Sequence, residues 1–249
     1  AYYVFDDNSS CNNLTVEGTL SFWSNIGGYM VFINGDLEVN GEFITEVLGG
    51  SNAIASVYVY GNVYNNGILS LSYDDGYNYC HADMYILGNS NSNFVMNEGS
   101  LTNLYSLFLN KDDITDTLYF TYNGGTLATQ GYTQFGFLYM YDGSGSAGTF
   151  YLNGDGSIGF PLFNIEGGEY GIGSNCRMVL DAPNFIILGN GLFYNTLESF
   201  KMKGDIYVKD IDEFIIGQYP ENHLVMYDGV ELKINNGKMG VYGSMYDSI

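Results

Sequence analysis

Asp112, Asp113 and Asp116 place three carboxylates within five residues. Hard oxygen ligands at that density are what a calcium ion takes from a loop. Calcium is therefore the most reasonable inorganic partner, although an ordinary acidic turn is the plainer reading of the cluster; Asn153 with Asp155 offers a thinner second set, and no cofactor is expected. Other acidic pairs, such as Asp74 with Asp75 or Asp210 with Asp212, would suit a glycoside hydrolase if two carboxyls faced one groove. In a chain with 28 Asp and Glu such pairs also arise by chance, as solvated turn residues. His81 and His223 are the only histidines and lie far apart, which leaves no spacing for a metal-binding helix or a Ser-His-Asp relay. The bases are Lys111, Arg177, Lys201, Lys203, Lys209, Lys233 and Lys238, a poor inventory for a lyase that must neutralise uronic acids. Catalysis is not expected.

Cys11, Cys80 and Cys176 are odd in number and lack the close pairing that zinc requires. An oxidising compartment would leave one bridge and one thiol, with Cys11 near the amino-terminal end as the partner for an intermolecular disulfide; three reduced cysteines are the plainer alternative. The 24 tyrosines are too many for the inside of a narrow coil. Tyr58, Tyr60, Tyr64, Tyr77 and Tyr79, with Tyr85 near them, are expected to line an outer face. Such rows bind neutral sugar rings or the same row of another copy. The alternative is a ladder of half-buried rings that holds the stack together.

The elements that must position these residues announce themselves as a repeated word: Gly, one variable residue, then a large apolar one. It occurs at Gly18-Thr19-Leu20, Gly35-Asp36-Leu37, Gly41-Glu42-Phe43, Gly61-Asn62-Val63, Gly67-Ile68-Leu69, Gly99-Ser100-Leu101, Gly125-Thr126-Leu127, Gly156-Ser157-Ile158, Gly204-Asp205-Ile206 and Gly237-Lys238-Met239. Asn, Asp or Glu often precedes the Gly, and such residues tolerate the left-handed backbone of a sharp corner. Val31 to Phe43 aligns with Val57 to Leu69 at an offset of 26, and the steps from Gly61 to Gly88 and from Gly99 to Gly125 are 27 and 26. A period in the twenties is the mark of stacked coils. With 34 Gly and 46% hydrophobic residues but only 3 Pro, the 249 residues are expected to form one all-β domain. The fold expected is a parallel β-helix, or β-solenoid, of about nine coils and on the order of 45 Å long; the alternative is a β-sandwich completed by a donated strand. Residues 1–20 precede the first clear repeat and read as a cap or an exchange arm. A loop is expected between coils near Phe135 to Ser146, and short strands at Met178 to Leu180, Phe185 to Leu188, Ile206 to Val208, Phe214 to Ile216, Leu224 to Tyr227 and Leu232 to Ile234. Asn195 to Lys203 is the best helical stretch, and it reads equally as a strand with a turn.

A formal charge of -21 sets aside nucleic acid and anionic lipid as partners. No apolar run is long enough for a membrane-spanning helix, so membrane insertion is not expected. A first residue Ala1 is what removal of a signal peptide leaves, and Asn8-Ser9-Ser10 with Asn13-Leu14-Thr15 are sequons. Together these suggest a secreted, cell-surface location. The words Asn66-Gly67-Ile68-Leu69 and Asn123-Gly124-Gly125-Thr126-Leu127 resemble the repetitive passengers of secreted bacterial β-helix adhesins. That resemblance implies a right-handed parallel β-helix displayed at a cell surface, although the tyrosine content is high and no outer-membrane barrel is present. The function expected is an extracellular structural protein, a self-associating subunit of a filament, matrix or layer joined by β-edges and Tyr-rich contacts. A surface adhesin or neutral-glycan-binding module is the alternative, and a polysaccharide-degrading enzyme comes third, by fold analogy.

Overall fold

Alternation of apolar and polar residues, as in Val31-Phe32-Ile33 and Val57-Tyr58-Val59, sends every second side chain of a strand to the same face. In the structure, a computed structural model, those inward residues are at most 1% exposed. The structure describes residues 2–5, 8–23, 28–46, 53–74, 79–127, 137–140, 142, 145–154, 159–163, 171–190, 200–216, 223–241 and 245–247. They form a β-solenoid whose strands pair in parallel from coil to coil.

The first face stacks β1 (Tyr2–Phe5), β4 (Thr19–Trp23), β7 (Glu42–Glu46), β10 (Ile68–Ser70), β14 (Leu101–Asn103) and β17 (Thr126–Leu127) into a six-stranded sheet. The second stacks β2 (Ser9–Cys11), β5 (Met30–Ile33), β8 (Ala53–Val59), β12 (Tyr79–Gly88), β15 (Ser106–Lys111) and β18 (Leu138–Tyr139). The third runs the whole way: β3 (Leu14–Val16), β6 (Leu37–Val39), β9 (Val63–Asn65), β13 (Ser92–Asn97), β16 (Thr117–Asn123), β19 (Gly148–Gly154), the first part of β22 (Cys176–Asn190), the first part of β24 (Asp205–Ile216) and β26 (Leu232–Ile234). Towards the carboxyl end β20 (Gly159–Phe163) is followed by the second parts of β22 and β24 and by β27 (Lys238–Val241). Beside them lie β21 (Gly171–Ile172), β23 (Phe200–Met202), β25 (Leu224–Met226) and β28 (Met245–Asp247). Six ranks thus complete the first face, while the third carries the nine strands just named. The one antiparallel strand pair among the described residues is a hairpin of β11 (Ser72–Asp74) with the start of β12.

The repeat alignment holds residue by residue, with Val31 beside Val57, Phe32 beside Tyr58, Leu37 beside Val63 and Phe43 beside Leu69. The explanation expected for its glycines does not. Gly35, Gly41, Gly61 and Gly67 do not have left-handed backbones. A Cβ on Gly41 or Gly67 would instead overlap the carbonyl oxygen of Gly18 or Gly41 in the coil before, and one on Gly35 or Gly61 would strike the side chain of Asn13 or Asp36. Close axial stacking, not corner handedness, selects glycine there. A left-handed corner does occur at Gly99 (φ 80°) and at Gly124 (φ 78°). Asn97 pairs with Asn123 at the offset of 26 that the repeated word gives, and Leu101 with Thr126 at 25, so the register slips by one residue across this corner.

Other expectations shift with the structure. Residues 2–5, 9–11 and 14–16 are built into the stack as strands paired with the next coil. Phe137, Leu138, Tyr139 and Met140 are buried, and Leu138 and Tyr139 continue the second face where an inserted loop was expected. Each expected carboxyl-terminal strand is found, but β22 and β24 run 15 and 12 residues because they turn a corner without a break. In β22 that corner coincides with a register shift and with Asn184 at φ 68°. Of Asn195 to Lys203, the described part contains strand β23, and residues 195–199 lie outside the described residues. Among the described residues no helix is long and apolar enough to cross a membrane.

The interior is a column of apolar side chains repeated rank on rank. Phe94, Phe120 and Phe150 succeed one another along the third face at centroid separations of 4.8 and 5.5 Å, all fully buried. Phe22 and Phe43 do the same at 5.2 Å under the first. Asn65, buried among them, donates from its carboxamide to the Leu101 carbonyl and the Thr102 hydroxyl, both at 2.8 Å, and so meets the demand that a buried amide be hydrogen-bonded.

Candidate functional surface

Outward residues at equivalent positions of successive coils lie one strand spacing apart, so whatever chemistry they share is forced into rows along the axis. On the second face that row is aromatic. Phe32, Tyr58, Tyr85, Phe108 and Tyr139 follow one another at centroid separations of 4.7, 4.7, 4.6 and 4.4 Å, with ring planes within 15° of parallel. Each inner ring has both faces against a neighbour, leaving edges and hydroxyls towards solvent. A sugar stacks on a ring face, so this row has little to give it. Burial, with Asp83 and Tyr58 beside it, pushes the Tyr85 phenol up to about 12. Tyr58→Ala removes two stacked contacts worth about 0.5–1.5 kcal/mol each beyond area. We expect a drop of about 2 kcal/mol in unfolding free energy, read by urea denaturation, with Tyr58→Phe close to wild type.

The tyrosines singled out from sequence do not form one row. Tyr58 belongs to the aromatic ladder; Tyr60 stands 42% exposed at the corner after β8; Tyr64 is half-buried on the third face, between Glu38 and Val95. Tyr79 opposes Asp74 in the hairpin, and Tyr77 lies outside the described residues. Tyr73, which sequence reading passed over, is 41% exposed.

Two further rows were not foreseen. At the corner before the third face, Asp36 donates its backbone N–H to the Asn13 side-chain oxygen at 2.9 Å, Asn62 to that of Asp36 at 2.8 Å, and Asn93 to that of Asn62 at 2.9 Å. At the corner after it, side chains alone make the ladder: Asn40 donates to Glu17, Asn66 to Asn40, Asn97 to Asn66 and Asn123 to Asn97, over 2.6–2.9 Å. The signal was present, since Asn40 and Asn66 precede aligned glycines. Both sequon asparagines are engaged as acceptors, Asn8 from the Met30 N–H and Asn13 from the Asp36 N–H.

The acidic turn has its own internal order. Asp112 and Asp113 are exposed and Asp116 is half-buried. Asp113 accepts from the Thr115 N–H and hydroxyl at 2.8 and 2.9 Å, and these bonds hold its carboxyl below the usual range. Among the described residues no three His, Cys, Asp or Glu side chains converge as a metal-binding set. Lys111, 4% exposed, donates to the carbonyls of Leu87 and Ser90 at 2.9 and 3.0 Å. Burial pushes its ammonium down to about 8, against the pull of Asp116 and Asp112.

Three of the carboxyl-terminal cations are paired across ranks. Arg177 meets Asp205 at 3.5 Å and lies over the Tyr207 ring. Lys203 meets Asp142 at 3.0 Å; burial alone would raise that carboxyl, but bonds from Lys203 and Ser174 bring it below its ordinary value. Lys209 donates to the Tyr151 hydroxyl, which in turn bonds Asp181. Cys80 and Cys176 are buried, and Cys11 packs half-buried against the core, its thiol raised by burial. His81 is 7% exposed and stacks on Tyr105 at 3.7 Å, far in sequence from His223.

Compared with protein-family models, curated proteins and solved structures, the chain matches none.

Proposed function

We propose that this chain is a structural protein, a rod-like subunit of a filament, matrix or surface layer outside the cytoplasm. The observation that carries the reading is the commitment of outward side chains to one another along the axis. The aromatic ladder and two polar ladders bind coil to coil across as many as five ranks, a use of surface that stiffens a rod. The likeness to β-helix adhesin passengers supports an extracellular setting, and the negative charge turns the rod towards neutral or basic partners. No catalytic step is part of this reading.

Negative-stain electron microscopy of the purified chain at neutral pH, with and without millimolar calcium and then after reduction, is the test. Ordered fibres or sheets are expected; if calcium or reduction alters them, the Asp112, Asp113 and Asp116 turn or Cys11 is the place to look. Dispersed short rods in every sample would remove the assembly reading. They would favour the second one, a neutral-glycan-binding module, which the exposure of Tyr60 and Tyr73 supports. On a glycan array that module would lose its signal with Tyr60→Ala.

A further inference from the structure

Asn34, Asn40 and Asn66 each precede a glycine, and that dipeptide carries a latent reaction of its own. The glycine nitrogen, having given its proton to water, can attack the asparagine Cγ. A C–N bond forms, the Cγ–Nδ2 bond breaks, and the amide nitrogen leaves as ammonia, which carries off the proton the glycine gave up. Water then opens the five-membered imide at either carbonyl, giving aspartate or isoaspartate. Glycine favours the attack, because no side chain crowds its nitrogen and its backbone turns freely. The fold cannot dispense with these glycines, since a Cβ on Gly35, Gly41 or Gly67 would overlap atoms of the coil before.

Two movements must precede the reaction: the glycine nitrogen must be released, and the carboxamide must swing so that its Cγ meets it. The first is restrained alike at all three corners. The Gly35 N–H is bonded to the Asn12 carbonyl, the Gly41 N–H to that of Val16 at 2.8 Å, and the Gly67 N–H to the Asn65 side-chain oxygen at 3.1 Å. The second is not. The Asn40 carboxamide donates to Glu17 at 2.9 Å and accepts from Asn66 at 2.7 Å, while that of Asn66 donates to Asn40 and accepts from Asn97 at 2.6 Å. Either would have to break a bond at its oxygen and another at its nitrogen in order to turn. Asn34 stands at the other end of β6 from Asn40 and is likewise exposed, but among the described residues its carboxamide has no hydrogen-bond partner.

We infer that Asn34 is the site of spontaneous deamidation in the folded chain, with water as the co-reactant, and that the asparagine ladder shields Asn40 and Asn66 from the same reaction. The products show why shielding matters. An aspartate at position 66 has no N–H to give to Asn40, and an isoaspartate adds a main-chain carbon where Gly67 has no room even for a Cβ beside the Gly41 carbonyl. The ladder thus guards the register of the coils as well as tying them together. The inference concerns a single chain and stands apart from the assembly reading.

Peptide mapping by mass spectrometry of the 249-residue chain, kept folded in mildly alkaline buffer, tests it, with circular dichroism as the check on folding and the same chain in urea as the reference. In urea the three asparagines should convert at similar rates. In the folded chain Asn34 should convert about tenfold faster than Asn40 or Asn66, or more. Asn97→Ala takes away the donor to Asn66 and should speed conversion there but not at Asn40; Glu17→Ala should speed Asn40 but not Asn66. Equal rates at the three sites in the folded wild type would overturn the inference, and so would ladder asparagines that convert ahead of Asn34. Rates at Asn40 and Asn66 that ignore both substitutions, in variants that fold, would overturn the ladder as the shield. The wild-type comparison stands on its own if either variant fails to fold.

Discussion

Phe120→Ala should lower the unfolding free energy by about 3–5 kcal/mol. The ring is fully buried and lies between Phe94 and Phe150, with Phe137 also 5.5 Å away. Truncation leaves a hole that neither neighbouring coil can fill, because each is held in register by strand pairing on both sides. A solenoid is stabilised largely by nearest-neighbour contacts, so the damage is concentrated at one interface. The ranks before and after residue 120 should then unfold in separate steps. Calorimetry and urea titration followed by hydrogen exchange will read this: two transitions in Phe120→Ala against one in wild type, and Phe120→Leu much closer to wild type. A loss under about 1 kcal/mol, far below the usual cost of such a cavity, with a single transition would mean that the aromatic column is not what couples the coils.

Acid should act through His81 before it acts through the carboxylates. Burial against Tyr105 pushes the imidazole down to about 4, whereas in the unfolded chain it titrates near 6.5. The folded state therefore binds fewer protons than the unfolded state across that interval. Stability is whole above about pH 6.5 and is lost as pH falls towards 4, by about 3 kcal/mol at 1.36 kcal/mol per pH unit. Asp113 and Asp142, whose carboxyls are held below their usual range, give up their contributions at lower pH. His81→Phe keeps a ring against Tyr105 and cannot take the proton. The wild-type minus variant stability, measured by urea at pH 7 and again at pH 4.5, should shrink by about 2 kcal/mol between the two, most of the linkage expected over that interval. A difference that stays constant would show that the histidine is protonated in place at little cost.

How far the sequence foretold these features depends on how regular the spacing is. From Val31 to Leu69 two coils have equal length, and there the residue pairing could be read by alignment alone. Beyond it, lengths change. The steps from Tyr58 to Tyr85, from Tyr85 to Phe108 and from Phe108 to Tyr139 all differ in length, although each joins direct partners on neighbouring strands. No single period links that ladder, so the tyrosines were grouped by nearness in sequence, which placed Tyr58 and Tyr64 together although they lie on different faces. The glycines misled for another reason: a sequence shows that a side chain is absent but not whether backbone handedness or an approaching carbonyl forbids it. The Asp112, Asp113 and Asp116 turn shows a third limit, because a sequence gives the nearness of carboxylates along the chain and not their directions. Carboxylates close along the chain diverge unless the loop curls round a centre, and here Thr115 engages Asp113 while the Lys111 ammonium is bonded to the carbonyls of Leu87 and Ser90.

The start of β12 stays in the stack, paired with β8 from Cys80 onward, and β11 folds back against it without disturbing the neighbouring faces: Val63 still finds Phe94, and Ile68 still finds Leu101, across longer stretches of chain than join the coils before them. Chain can therefore be spliced in at a corner while the marks along the rod stay evenly spaced. For anyone wishing to use the molecule as a display scaffold, the connection between β11 and β12 is the natural graft point, since both strands that flank it are tied to the stack and would hold a foreign epitope at a fixed height.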